Sequence, residues 1–197
     1  MSDNNSLIRC GWVSNDTIYQ EYHDHVWGVP VLDEQELFEK LCLDGQQAGL
    51  SWITILKKQQ NYQEAFHNFD PVKIAEFNDD DVERLLQNKG IIRNRLKVNS
   101  IIRNARAYLK MKEQGIDFTD FIWSFVDHKT IQNEFKLLSD LPATSVQSEA
   151  MSKALKKAGF NFVGSTICYA FMQAVGLVND HTTDCHRYEQ VRAMGRS

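Results

Sequence analysis

Apolar side chains recur along most of this chain at the spacing of an α-helix. Positions 37, 38, 41 and 42 are apolar and share one helical face, and Asp33 with Glu36 forms a capping-box pair just before them. This pattern predicts a helix over residues 34–47, ended by Gly49, and a second helix that begins at Trp52. Further helices are predicted over residues 79–90, 91–111, 118–126, 148–157 and 166–175.

Two of the predicted helices carry expectations about single residues. Asp79 or Asp80 is expected to cap the helix at 79–90, because a side-chain carboxylate accepts from the free N–H groups of a first turn. In the long helix over 91–111, Leu96, Ile101 and Tyr108 are expected to face inward and the basic residues outward. No alternation typical of a strand runs beyond a few residues, so the predicted fold class is all-α.

Length and composition are those of a globular protein with one large domain or two small lobes. The chain has 197 residues, of which 43% are hydrophobic and 24% charged. No run of about 18 or more apolar residues is present, so the sequence predicts no membrane-spanning helix. Residues 1–6 are polar and lack the apolar core of a secretion signal. We therefore expect a cytoplasmic protein with no membrane partner.

Positive charge is concentrated in one part of a chain whose net charge is −4. Residues 84–112 contain no Asp or Glu and nine basic side chains: Arg84, Lys89, Arg93, Arg95, Lys97, Arg103, Arg106, Lys110 and Lys112. Such a run is usually a solvated helix face. A single-sign face of this length also suits contact with nucleic-acid phosphates. Both interpretations stay open on this observation alone.

Pairs of cysteine and histidine stand near both ends of the chain. Four residues make up the two pairs: Cys10, His23, His181 and Cys185. The spacing of the second pair places both side chains on one face of a helical turn, and structural zinc favours a closed tetrahedral set of Cys and His. The pattern suggests a zinc site that joins the N- and C-terminal segments. Chance placement is the alternative, and three nearby residues are rival ligands: His25, Asp184 and His186.

The segment that follows Cys10 is rich in aromatic rings. Trp12, Tyr19, Tyr22 and Trp27 all lie within 18 residues of Cys10, and a metal at Cys10 and His23 would anchor this segment. A segment of this kind is either a plug of the core, which is the commoner case, or the wall of a pocket.

A glycine-bracketed turn separates the last two predicted helices. Gly159 and Gly164 flank it, and Ser165 follows at the start of the second helix. Free backbone N–H groups at a helix N-terminus can bind a phosphate, and a glycine there lets a DNA backbone come close. The alternative is an ordinary corner between two helices.

Seven motifs together resemble the bacterial 3-methyladenine DNA glycosylase I family. They are CGW at 10–12, YHD at 22–24, EKLCL at 39–43, GQQAGLSW at 45–52, GIIR at 90–93, FVGSTICY at 162–169 and VNDH at 178–181. The resemblance covers residues 9–185, which is nearly the whole chain. It implies a monofunctional enzyme that hydrolyses the N-glycosidic bond of a flipped 3-methyladenine in alkylated double-stranded DNA and releases the free base. It also implies a bacterial, nucleoid-associated monomer.

The resemblance implies a helix-hairpin-helix glycosylase fold with the hairpin at about 151–175. A single domain of two helical lobes is expected over 9–186, with tails at 1–8 and 187–197. The family carries one structural zinc ion held by two Cys and two His, and those positions match the four residues named above. The catalytic Asp that many helix-hairpin-helix glycosylases have after the hairpin is Asn179 here, as the family implies.

The resemblance also implies a pocket for the damaged base. Its aromatic positions match Trp12, Tyr19, Tyr22, Trp27 and Trp52. Its catalytic carboxylate matches Asp44, where the family usually has Glu. The missing methylene sets the Asp44 oxygens about 1.3–1.5 Å further back. This departure raises an alternative function: a non-catalytic, zinc-containing protein that recognises DNA damage without excising it.

The remaining positions implied by the resemblance are contacts to DNA. Leu50, beside Gly49, matches the wedge that fills the gap left by the flipped base, although its helical surroundings alone would suggest a buried residue. Gly164 and Ser165 match the phosphate-binding turn of the hairpin. Arg93, in the basic stretch, is a further expected contact.

Overall fold

The computed structural model describes residues 7–196, so most of the N-terminal tail predicted over 1–8 lies outside the described residues. Helices make up the bulk of that range, and the strands are two residues long. The elements are α1 (Thr17–His25), α2 (Glu34–Gln46), α3 (Trp52–Leu56), α4 (Gln59–Ala65), α5 (Pro71–Ala75), α6 (Asp79–Gln87), α7 (Arg95–Glu113), α8 (Phe118–Trp123), β1 (Ile131–Gln132), α9 (Val146–Ala158), α10 (Ser165–Ala174), β2 (Val178–Asn179) and α11 (Tyr188–Met194). The predicted all-α class is confirmed.

Helix α2 forms as its pattern predicts and lies at the centre of the fold. The Asp33 side chain accepts from the backbone N–H of Glu36 at 2.8 Å, which satisfies one of the free donors of the first turn. Leu37 and Leu41 are fully buried in the main hydrophobic core. The last turn of α2 carries Asp44 and ends beside the turn that holds Gly49.

Two helix starts differ from the prediction. Asn78, rather than Asp79 or Asp80, caps α6, and it forms a reciprocal capping box with Asp81. Helix α7 begins at Arg95 instead of position 91, because the side chain of Asn94 accepts from the N–H of Lys97 and ends the extended stretch there. Leu96 is 69% exposed, so its predicted inward orientation is wrong. Position 96 lies about 200° around the helix from Val98, on the opposite face.

Helices α9 and α10 form the predicted hairpin. Gly159 ends α9 in the left-handed conformation at φ +101°, and Gly164 stands at the start of α10. The Ser152 hydroxyl donates to the carbonyl of Val163 at 2.6 Å and holds the turn against α9. A Cβ on Gly45 would lie 3.1 Å from Phe162 of the turn, so glycine lets α2 pack directly on the hairpin.

The C-terminal segment packs onto the fold, which corrects the tail predicted over 187–197. Strands β1 and β2 pair in parallel, with Ile131 opposite Val178, and α11 lies against β2. Val191 of α11 is fully buried. Tyr188 and Val191 are three residues apart, a short apolar repeat that suffices for a helix only because the rest of the fold covers it.

No helix in the part of the chain from 7 to 196 combines the length and apolar character that crossing a membrane requires.

Candidate functional site

The two Cys–His pairs from opposite ends of the chain meet in the interior. Their four donor atoms all lie within 4.8 Å of one another. The Sγ of Cys10 is 3.4 Å from Nδ1 of His181, and the Sγ of Cys185 is 3.4 Å from Nε2 of His23. In a tetrahedral zinc site, bonds of about 2.3 Å to sulfur and 2.0–2.1 Å to nitrogen set such atoms about 3.5 Å apart. The cluster therefore has the donors and the spacing to hold a metal ion.

The outer nitrogens of both histidines are also engaged, which orients the rings. Nδ1 of His23 lies 2.8 Å from the Asp24 carboxylate, and Nε2 of His181 lies 3.1 Å from the carbonyl of Trp27. Each acceptor favours a proton on the outer nitrogen and leaves the inner nitrogen with a lone pair directed at the cluster. This is the arrangement that metal-binding histidines have.

The three rival ligands do not join the four-atom cluster. His25 and Asp184 are exposed. His186 lies behind Asp24, with Nε2 2.9 Å from the same carboxylate oxygen that His23 approaches. Arg9 binds Asp24 as well, at 2.7 Å. Burial opposes ionisation of Asp24, but the hydrogen bonds from Arg9 and the two histidines outweigh it and lower its pKa.

The predicted aromatic residues enclose a cavity of about 220 Å³. Its wall consists of Trp12, Tyr19, Tyr22, Trp27, Asp44, Gln47, Trp52, Leu138, Leu141, Ala170 and Gln173. The Trp12 ring packs 5.0 Å from Tyr19 and 5.0 Å from Trp27, both as centroid distances. The ring-rich segment is thus a pocket wall rather than a plug of the core.

The Cys–His cluster supports this wall directly. The Trp27 ring lies edge-on to His181 with centroids 4.6 Å apart, and the Trp12 ring lies 5.3 Å from His23. Tyr22 precedes His23 in α1, so fixing the His23 ring also fixes the turn that carries Tyr22. Any loss of order at the cluster would therefore reach the cavity.

Among the described residues, Asp44 is the only acidic one in the cavity wall, and it is buried, with 3% of its surface exposed. Its Oδ2 has no hydrogen-bond partner among the described residues, and the same holds for Nε1 of Trp12 and Nε1 of Trp52. Burial raises the pKa of Asp44 to about 8, against an opposing effect of the Lys40 ammonium. Unpaired buried polar groups are rare in folded proteins, and three of them around one cavity indicate a polar ligand.

A second, larger cavity of about 650 Å³ shares Tyr22, Asp44 and Trp52 with the first. Lys40, one helical turn before Asp44, lines only this larger cavity. Its Nζ lies 3.6 Å from the exposed Glu36. Asp44 thus lies between the aromatic cavity and the larger cavity and lines both.

Five residues of the aromatic cavity were not predicted: Gln47, Leu138, Leu141, Ala170 and Gln173. Leu138 begins a short 3₁₀ turn at Leu138–Asp140 that has no periodic pattern in the sequence, and Leu141 directly follows this turn. Ala170 and Gln173 are three residues apart on α10, a spacing that indicates one helix face but not which face lines a cavity.

The proposed DNA contacts lie on the surface. Leu50 is 39% exposed in the turn between α2 and α3, next to Gly49 at φ +75°. A Cβ on Gly164 would meet no atom within 4 Å, and no side chain caps the N-terminus of α10 at Gly164 and Ser165. Arg93 is exposed just before α7.

Fewer side chains of the basic stretch are available to contact DNA than the sequence suggests, because five of its nine cations have protein partners. Arg84 and Arg95 pair with Asp81 and Glu83 of α6, and Lys112 pairs with Glu34. Arg106 donates to two backbone carbonyls, and Lys97 is buried. The acidic residues that precede the stretch in sequence fold back onto it.

A two-helix hairpin beside a ring-walled cavity with a buried carboxylate is the arrangement of a helix-hairpin-helix DNA glycosylase, a class that flips one base out of the duplex. The sequence profile of the family described as "Methyladenine glycosylase" matches residues 12–188. The chain belongs to the methyladenine glycosylase family.

Named relatives and solved structures agree with this assignment. The chain is 59% identical over 182 residues to DNA-3-methyladenine glycosylase 1 of Escherichia coli K12, covering 92% of this chain and 97% of the relative. A crystal structure of 3-methyladenine DNA glycosylase I matches with a TM-score of 0.90 at 57% identity, over 91% of this chain and 98% of the other. A structure described as the basis of 3-methyladenine recognition by the Staphylococcus aureus enzyme matches with a TM-score of 0.89 at 38% identity, over 91% and 96%.

Proposed function

We propose that this protein is a DNA-3-methyladenine glycosylase, which hydrolyses the N-glycosidic bond of a flipped 3-methyladenine in alkylated double-stranded DNA. The E. coli relative has this name, and the S. aureus structure is described as recognising 3-methyladenine. One observation carries the proposal for this chain: the cavity walled by five aromatic rings that contains the unpaired Oδ2 of Asp44.

The cavity suits a cationic purine better than a neutral one. N3-methylation gives adenine a positive charge while it is attached to the sugar. Each Tyr or Trp face that covers a cation contributes about 0.5–2 kcal/mol, depending on desolvation. The Asp44 carboxylate adds a charge-assisted hydrogen bond to the base. Unmodified adenine gains less from both, so selection follows from differential binding.

The reaction needs little further help from the protein. The bond between the sugar and a cationic base is already weak, and its electron pair moves to the base, which leaves as a neutral molecule. Water forms the new bond to the sugar carbon and loses a proton. No lysine lines the aromatic cavity among the described residues, in keeping with hydrolysis and without cleavage of the strand.

The DNA contacts are assigned to a monomer that binds one duplex. We assign Leu50, next to Gly49, the role of filling the gap left by the flipped base. Gly164 and Ser165 offer backbone N–H groups to a phosphate, and Arg93 supplies a further cation. The protein would act in the bacterial cytoplasm at the nucleoid, as one domain that begins at residue 9 and includes α11.

We assign one structural zinc ion to Cys10, His23, His181 and Cys185. The two thiols, two imidazoles and tetrahedral spacing support zinc over ions that prefer oxygen ligands. When bound, zinc supplies a cross-link between the ends of the chain and takes no part in the chemistry at the base. Asp24 and the carbonyl of Trp27 orient the two imidazoles.

A base-release assay tests the proposal. The zinc-loaded protein, incubated with methylated duplex DNA, should release 3-methyladenine, whereas Asp44→Asn should release it at least about tenfold more slowly because the charge-assisted bond is lost. Absence of release above background by the folded protein would refute the enzyme and support the damage-binding alternative. The position of Asp44 inside the cavity disfavours that alternative.

A further inference from the structure

Gln173 stands between the aromatic cavity and a buried carboxylate. It lines the cavity from α10, and its Nε2 donates to Oδ2 of Asp180 at 2.8 Å. Asp180 follows β2 and is 1% exposed. Two more donors hold it: the Tyr169 hydroxyl at 2.6 Å on Oδ2 and Nδ2 of Asn133 at 2.7 Å on Oδ1. Asp180 is therefore fixed from three sides.

This network determines which end of the Gln173 amide faces Asp180. A carboxylate oxygen that already receives the Tyr169 hydroxyl accepts from an amide N–H₂ and repels an amide oxygen. The Gln173 amide is consequently held with its nitrogen on Asp180 and its Oε1 free. No donor from residues 7–196 hydrogen-bonds to this oxygen, and it is not among the buried atoms without a partner, so it remains accessible.

An acceptor with a fixed orientation distinguishes purines by the group at C6. Adenine carries an amino group there, which donates, whereas guanine carries a carbonyl, which accepts. We propose that Gln173 selects 3-methyladenine over 3-methylguanine by presenting Oε1 to the C6 amino group of the flipped base. This inference rests on the proposed glycosylase function and names the residue that sets its lesion range.

The other polar residues of the cavity are less suited to this choice. Asp44 responds to the positive charge that both 3-methylated purines carry, and its carboxylate can accept either from the C6 amino group of 3-methyladenine or from the N1–H and C2 amino group of 3-methylguanine. Gln47 is half-buried and its side chain has no hydrogen-bond partner among the described residues, so its amide can rotate and present either end. Gln173 differs because Asp180 prevents that rotation. When 3-methylguanine occupies the cavity, Oε1 of Gln173 faces the C6 carbonyl. Neither oxygen then has a donor, and the bound base excludes the water that could supply one.

The test compares the two lesions in one reaction. Duplex DNA treated with a methylating agent contains both bases, and the ratio of their initial release rates is measured by chromatography. Gln173→Met keeps the length of the side chain but removes the acceptor. Its ratio of 3-methyladenine to 3-methylguanine release should fall about 10–100-fold below that of the unchanged protein. Gln87→Met is the matched control, because Gln87 is an exposed glutamine at the end of α6.

A second variant distinguishes the role of the acceptor oxygen from that of the amide group as a whole. Gln173→Glu keeps an oxygen toward the cavity while its second oxygen shares one proton with Asp180, so its ratio should stay within about threefold of the unchanged protein. A ratio in Gln173→Met equal to that of Gln87→Met would overturn the inference, as would an equal loss in Gln173→Glu and Gln173→Met. If Gln173→Met fails to fold, Gln173→Leu replaces it with the same expectation. Failure of the unchanged protein to release either base would instead contradict the proposed function.

Discussion

At the residue scale, Asp44 combines burial with an unsatisfied oxygen. Its pKa of about 8 reflects desolvation, and the titratable groups that interact with it electrostatically are Lys40 on α2, Tyr22 on α1 and Cys168 on α10. Burial, and then the Asp44 charge, raises the pKa of Tyr22 as well. A positively charged base in the cavity would stabilise the ionised Asp44 carboxylate, which has no hydrogen-bond partner on Oδ2 in the folded protein. The environment of Asp44 therefore favours binding of a cation.

The shifted pKa gives a pH dependence of stability. An unfolded Asp titrates at about 3.9, so between about pH 4 and 8 the folded chain binds a proton at Asp44 that the unfolded chain does not. The contribution of Asp44 to the free energy of unfolding therefore falls as the pH rises through this window. Asp44→Asn should match the unchanged protein at pH 4 and exceed it by about 0.5–2 kcal/mol at pH 8 in urea unfolding. Equal stability at both pH values would show that the carboxyl is not buried in the folded state.

The same shift predicts a rising limb in activity. Base release under kcat/KM conditions should increase with pH up to about 8, as Asp44 ionises. Lys40→Met removes the cation that favours ionisation and should move the limb to higher pH, whereas Lys40→Arg should leave it in place. If Lys40→Met leaves the pH dependence of base release unchanged, Lys40 does not influence the ionisation of Asp44.

Residue types in the site were predictable, and their environments were not. The resemblance supplied the five rings and Asp44 by position, and the structure brings them together in one cavity. The orphaned Oδ2 of Asp44 depends on side chains from α1, α3 and α10 that exclude water. Gln173 gave no signal, because only its contact with Asp180 distinguishes it from other helical glutamines.

At the scale of elements, the last turn of α2 is held by a buried cation. Nζ of Lys97 donates to the carbonyls of Gln46 and Ala48, each at 2.7 Å, and Lys97 itself is 7% exposed. These carbonyls are at the helix C-terminus, where they have no partner inside the helix and attract positive charge. Lys97 on α7 thereby fixes the turn that carries Leu50.

Removal of this cation should loosen the turn. Lys97→Met leaves a buried carbonyl at Gln46 and a partly buried one at Ala48 without this donor, and should lower the free energy of unfolding by about 1–3 kcal/mol. Base release from duplex DNA should fall further than binding of free 3-methyladenine to the cavity, because only the duplex reaction uses Leu50. Leu96→Met on the same helix is the control, since Leu96 is exposed. Equal losses in both assays would mean that Lys97 serves the fold alone.

Element boundaries were predictable where a cap and an apolar repeat agree, as at α2. The predicted boundary was wrong where apolar residues also precede the capping residue. Ile91 and Ile92 extend the apolar pattern of α7 toward the N-terminus, but Asn94 sets the start of the helix. The 3₁₀ turn at Leu138–Asp140 escaped prediction because Leu138 packs on Gly11, a contact between distant parts of the chain.

At the scale of the whole molecule, the Cys–His cluster joins residues that are 171 positions apart in sequence, Cys10 and His181. The pattern of Cys and His and the family resemblance predicted the four residues together. The contact between His181 and Trp27, which links the cluster to the cavity, became visible only in three dimensions.

Loss of the metal should therefore affect both the fold and the cavity. Cys185→Ser should lower bound zinc from about one per chain to near zero, and a loss of about 3–5 kcal/mol should reduce Tm by about 6–20 °C. Cys168→Ser is the matched control, because Cys168 is equally buried and lies outside the cluster. Metal content by mass spectrometry and thermal melting report the result. Full zinc content in Cys185→Ser would refute the proposed ligand set.

The most direct measurement compares binding of a charged and an uncharged lesion of the same shape. One duplex carries 3-methyladenine on a 2′-fluoro sugar, which slows bond cleavage and retains the positive charge. The other carries the neutral 3-deaza-3-methyladenine. We predict that the protein binds the charged duplex about 10–100-fold more tightly and that Asp44→Asn removes most of this difference. Equal affinity of the unchanged protein for the two duplexes would contradict recognition by charge.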